Sequence, residues 1–163
     1  MGAAVAFYCQ QPEFLGLSRE RLRVSNRLQE KLALQLVYAI GRRHYEGGEP
    51  WSAAALARRL SMPVDVVAEV LEALERSGLV AESGLRKTTY IPGRPYEEVT
   101  LAEVLLRVRK AGEGPLLNAD RAVAEPPVET LTDEIEASTL AALESRTIKE
   151  WVTGNQPLSG DRE

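Results

Sequence analysis

The stretch from Trp51 to Tyr96 constrains this chain most, because it sets two short amphipathic helices around a tight turn and follows them with a pair of strands. Ser52 suits a helix N-cap, and Leu56 and Leu60, four residues apart, fall on one face of a first helix ending at Leu60. Pro63 disfavours helical geometry at Met62 yet fits the start of a new helix, so Ser61-Met62-Pro63 reads as a helix-turn-helix joint. From about Val64 to Ser77, the residues Val67, Val70, Leu71 and Leu74 recur at i, i+3, i+4 and i+7, and Gly78 supplies the left-handed residue that ends such a helix. Leu79 to Glu82 reads as a strand, Ser83-Gly84 as a turn and Arg86 to Ile91 as the returning strand, with Pro92 and Pro95 closing the hairpin. The order predicts a mainly α-helical winged helix-turn-helix with a two-stranded wing, flanked by N-terminal and C-terminal helices.

In a nucleic-acid reader of this shape, the second helix of the pair lies in the major groove. With its apolar stripe turned to the core, the outward positions are Asp65, Glu69, Glu72 and Arg76, with Glu75 beside them. Carboxylates facing a dense array of phosphates are repelled, so this face predicts a protein partner and no specific DNA binding. Arg58 and Arg59 on the first helix and Arg86, Lys87 and Arg94 around the wing are the residues placed to touch phosphate, although such scattered cations also suit a solvated face.

The composition agrees with a folded domain that is not a general nucleic-acid binder. The chain has 163 residues, 44% of them hydrophobic, and a formal charge of −4 at pH 7. A single cysteine, Cys9, excludes an internal disulfide and a cysteine-ligated metal cluster within one chain, and the sole histidine, His44, has no second ligand or catalytic partner type nearby. No Gly-rich phosphate loop is present, and no nucleophile with a base and an orienting acid can be assembled. The sequence therefore predicts no catalytic residue, no metal ligand and no cofactor.

Around the central stretch the organisation is as follows. Residues 1–24 begin with an uncharged run, Gly2 to Cys9, followed by Arg19, Arg21, Arg23 and, just beyond, Arg27. An apolar helix end beside basic residues is the pattern expected at the cytoplasmic face of a membrane, although a core-docked terminal helix and a solvated linker would look similar. Residues 25–111 form the winged-helix unit. Its first helix opens near Asn26, with Gln29 three residues on, and carries Leu28, Leu32, Leu36 and Ile40 every fourth residue. Its last opens on a Thr100/Glu103 capping box and carries Leu101, Val104, Leu105 and Val108. Residues 112–127, with two glycines and three prolines, read as a flexible connector. Residues 128–153 read as C-terminal helices: Val128, Leu131, Ile135, Thr139 and Ala142 line one side of a long helix, and a Thr147/Glu150 capping box opens a short one bearing Ile148, Trp151 and Val152. Residues 154–163 read as a disordered tail.

Laid out in this way, the chain resembles the cytoplasmic C-terminal region of the YihY/BrkB-like membrane proteins, historically labelled ribonuclease BN-like. The resemblance rests on Gly2-Ala3-Ala4-Val5-Ala6-Phe7 with Gln10, on Leu22 to Arg43, on Pro50-Trp51 through Leu79, and on Tyr90-Ile91-Pro92-Gly93-Arg94-Pro95 with Val99-Thr100-Leu101-Ala102-Glu103-Val104. It implies a non-catalytic domain at the cytoplasmic side of the bacterial inner membrane. Such a domain would be attached through its N-terminus and would act by contact with its own membrane domain, another protein or a second copy of itself. The ribonuclease label does not carry over, since metal-dependent hydrolysis needs clustered His and Asp ligands.

A second resemblance is to the Rrf2-type transcription regulators, which share the helix-turn-helix and the ending of the wing. This chain departs from them in its extension before Asn26, in lacking paired glycines ahead of Tyr90, and in lacking cysteines after Val108. That resemblance implies a cytoplasmic, DNA-binding regulator without an iron–sulfur cluster.

Overall fold

The computed structural model describes residues 24–84, 86–111, 113, 119, 123 and 125–154. The apolar run Gly2 to Cys9, the cations Arg19, Arg21 and Arg23, most of the 112–127 connector and the tail from 155 lie outside the described residues. Among the described residues eight elements follow one another: α1 (Asn26–Tyr45), α2 (Ala53–Leu60), α3 (Val64–Arg76), β1 (Val80–Ser83), β2 (Thr89–Pro92), α4 (Leu101–Lys110), α5 (Pro126–Ala141) and α6 (Ile148–Thr153). The two strands pair antiparallel, with Val80 opposite Pro92 and Ser83 opposite Thr89. This is a winged helix.

Local chemistry sets most boundaries. The cap of α1 is Ser25, not Asn26: its side chain accepts from the Leu28 amide, which places Asn26 inside the helix. Ser52 caps α2 by accepting from the Ala55 amide. Between α2 and α3 the chain reverses at Ser61, whose φ of 52° makes it the one non-glycine residue in the left-handed region among those described. β1 has the length the sequence pattern indicates but starts one residue later, and β2 is shorter, starting at Thr89 instead of Arg86 and taking in Pro92. Gly84 opens the turn at φ 101°, where a Cβ would lie 2.5 Å from the Lys87 carbonyl oxygen, so only glycine fits. Thr100 accepts from the Glu103 amide as expected, but the Glu103 carboxylate is drawn away to Arg94 and Arg107, so the reciprocal half of that box is absent. Both halves are present at Thr147 and Glu150.

The core surrounds α1, which touches α3, α4, α6 and β2. Leu32, Leu36, Val37 and Ile40 from α1 meet Val67, Val70, Leu71 and Leu74 from α3, Leu56 from α2, and Ile148 and Val152 from α6. Burial of this continuous apolar stripe, rather than helix propensity, holds these short helices in place. Tyr96 is the largest fully buried side chain among the described residues. Its ring lies over Gly41, where a Cβ would come within 2.9 Å of it, and its hydroxyl donates to the Leu79 carbonyl at 3.1 Å. Burial pushes this phenol well above the usual tyrosine range, so the hydroxyl is always present as a donor. Phenylalanine at this position keeps the ring but removes one of the two donors to the Leu79 carbonyl, which still accepts from the Gly93 amide at 3.1 Å, and an expected loss of about 0.5–1.5 kcal/mol should appear in a denaturant melt.

Behind the hairpin, α6 is stitched to the α4 entry by backbone bonds. The Leu101 amide donates to the Arg146 carbonyl at 2.8 Å and the Ile148 amide to the Val99 carbonyl at 2.9 Å. Tyr38 and Trp151 meet edge-on, with centroids 4.9 Å apart. In contrast, α5 is largely uncovered: Val128, Leu131 and Ile135 are 53%, 56% and 57% exposed.

Candidate nucleic-acid interface

The outward face of α3 carries Asp65, Glu69, Glu72 and Arg76, all exposed, while Val67, Val70, Leu71 and Leu74 are buried behind them. Its charges are not equivalent. Glu72 lies 3.6 Å from Arg76, one turn on, so that carboxylate is partly offset within the helix. Asp65 sits in the first turn, where the amide ends of the helix favour a negative charge.

The cations divide more sharply. Arg94 and Arg107 share the Glu103 carboxylate, each at under 3 Å, and Arg107 also donates to the Ser77 carbonyl behind the wing. Arg42 pairs with Glu46, and Arg109 with Glu30. Arg43, Arg58, Arg59, Arg86 and Lys87 have no carboxylate partner among the described residues. Arg58 and Arg59 lie on the last turn of α2, and Arg86 and Lys87 in the exposed turn of the hairpin. Two groups of unneutralised cations are thus placed on the two elements that adjoin α3 in the sequence. Arg27, at the start of α1, is exposed and belongs to neither group.

Trp51 was not singled out by the sequence pattern, yet it links these parts. Its carbonyl accepts from the Tyr90 amide at 2.8 Å, an isolated bridge to β2. The guanidinium carbons of Arg43 and Arg59 lie 5.0 and 5.7 Å from its ring centroid. Helical side chains lean towards the N-terminus, which brings Arg59 back over the residue that precedes the α2 cap. That lean is the only sequence signal for the contact.

A concavity apart from these cations is lined by His44, Tyr45, Arg94, Tyr96 and Glu97, of which Arg94 is paired with Glu103 and the Tyr96 hydroxyl is bound to the Leu79 carbonyl. Glu97 accepts from Tyr45 at 3.0 Å and pairs with Lys149 at 3.0 Å. Lys149 holds the Glu97 carboxyl below its usual range, while burial and Glu97 push the Tyr45 phenol up to about 12.

With this geometry in view, comparison with solved structures is informative. The fold is that of the Rrf2-type regulators. CymR, the global cysteine regulator of Bacillus subtilis, is similar with a TM-score of 0.56 at 19% identity, over 81% of this chain and 97% of its own. Staphylococcus aureus CymR gives a TM-score of 0.57 at 15% identity, covering 79% and 98%. IscR of T. potens gives 0.59 at 16% identity, covering 88% and 95%. No protein-family model matches the sequence, and no curated protein does.

Two expectations are corrected. The resemblance to the YihY/BrkB-like membrane proteins and the attachment through the N-terminus find no support: the similar structures include a global cysteine regulator and a putative transcriptional regulator, and no helix among the described residues, which exclude residues 1–23, is long and apolar enough to cross a membrane. The exclusion of specific DNA binding is overturned as well, since the acidic α3 sits in a fold that transcription regulators use. The physical error lay in counting carboxylates without asking which are offset and which cations nearby remain unpaired.

Proposed function

We propose that the chain is a DNA-binding transcription regulator of the Rrf2 type that works as a two-fold pair and without an iron–sulfur cluster. The observation that carries this reading is the placement of the unpaired cations Arg58, Arg59, Arg86 and Lys87 on α2 and the wing, on either side of α3 in the sequence. With α3 in the major groove, α2 crosses the backbone and the wing reaches adjacent phosphates, so these cations position the domain while α3 meets base edges. Asp65 and Glu69, in the N-terminal half of α3, are suited to accept from the exocyclic amine of cytosine. A cluster held by cysteine thiolates needs several of them, and the sequence has only Cys9.

Pairing follows from α5, whose exposed Val128, Leu131 and Ile135 recur at helical spacing and would be covered by the same face of a second copy. The test is selection from a pool of random duplexes at near-physiological salt, followed by sequencing of the retained pool. The expected outcome is a palindromic motif, with half-sites about one helical turn apart and dissociation constants around 10⁻⁸ M. A retained pool as random as the input would defeat the reading.

A further inference from the structure

We propose that Arg43, Trp51 and Arg59 form a preformed phosphate-binding site that takes one stretch of the duplex DNA backbone. Trp51 serves as the positioning residue between the two cations. The proposal rests on the DNA-binding reading above but concerns a different set of atoms from the face of α3.

Three observations carry it. Two guanidinium groups, from the last turns of α1 and α2, lie within 6 Å of one indole centroid, and two like charges held near one ring favour an anion that contacts both. Neither has a carboxylate partner among the described residues, whereas Arg42, Arg76, Arg94, Arg107 and Arg109 do. The third observation is that the platform itself is fixed. Trp51 is half-buried against the core, its carbonyl is tied to Tyr90 of β2 at 2.8 Å, and Arg43 donates from Nε to the Glu49 carbonyl at 3.0 Å. An arginine stacked on an aromatic face keeps the edge of its fork for a phosphate, and it loses less freedom on binding than a mobile one. The ring stands directly before Ser52, the cap of α2, and α2 is the helix that crosses the backbone in this class of fold.

The chemistry separates charge from order. Arg43→Gln or Arg59→Gln removes one phosphate contact, so the slope of log K against log salt should fall by about one. Trp51→Leu keeps both charges and removes their platform, so the slope should stay the same while affinity falls about five- to tenfold at every salt concentration. Trp51→Phe should recover most of that loss.

The experiment measures binding of the full chain and these four variants to a random-sequence 20-base-pair duplex between 50 and 200 mM salt, with a thermal melt of each protein. Unchanged affinity in Trp51→Leu, or unchanged slopes in both arginine variants, would overturn the proposal while leaving the regulator reading intact. Absence of binding by the unaltered chain at the lowest salt would remove both. If Trp51→Leu fails to fold, the arginine slopes and the Trp51→Phe affinity still decide. Tighter association with vesicles containing phosphatidylglycerol than with the duplex, lost in the same variants, would assign the site to a lipid surface and overturn the DNA backbone as its occupant.

Discussion

Alanine in place of Leu71 is expected to lower stability by about 2–5 kcal/mol, the range for a buried leucine whose surroundings relax only in part. Leu71 is 0% exposed and lies in the cluster that joins α3 to α1. A domain of this kind has only about 5–15 kcal/mol in total, so the substitution removes a large share of it. A denaturant melt measures the loss directly. Glu72→Ala is the control: one residue along, exposed, and expected to change stability by no more than about 0.5 kcal/mol. A loss under about 1 kcal/mol for Leu71→Ala would mean that α3 presents a different face to the core, and the assignment of Asp65 and Glu69 to the outside would fall with it.

The largest effect on binding is expected from the wing. Arg86 and Lys87 are exposed and without a carboxylate partner among the described residues, and each would release condensed counterions on meeting a phosphate. Replacing both with glutamine should reduce the salt slope by about two, and at ~0.15 M salt the lost counterion release corresponds to about 30-fold weaker binding. The selected motif should keep its sequence, since phosphate contacts position the protein without reading bases. Fluorescence anisotropy on the selected duplex across a salt series would measure both numbers. An unchanged slope would remove the wing from the interface.

Periodicity made the helices legible because a stripe of Leu, Ile and Val at helical spacing has one low-energy use in water. Leu32, Leu36 and Ile40 on α1, and Val67, Val70, Leu71 and Leu74 on α3, are all buried. The same logic failed to say what covers a stripe: Val128, Leu131 and Ile135 share a face of α5 and stay exposed. Pattern reports which residues lie together, and nothing about the surface opposite. Charge was the harder reading. Arg94 and Arg107 are as basic in the sequence as Arg58 and Arg59, yet both are committed to Glu103. The Arg43 and Arg59 stack on Trp51 joins residues from three parts of the chain, and no local pattern encodes it.

The seam between α1 and α6 bears on how the molecule is made. Tyr38 and Gly41 meet Trp151 and Val152, more than a hundred residues later in synthesis. A growing polypeptide therefore completes the whole helix-turn-helix and hairpin while one flank of its first helix is still open to water. That flank closes only once the segment around residues 148–152 has left the ribosome. Contacts of such long sequence separation slow folding, and the interval before they form is when exposed apolar surface invites association with other nascent chains. Stop codons or proteolytic cuts between α4 and α6 would leave every element next to α3 in place and still yield a protein prone to aggregate.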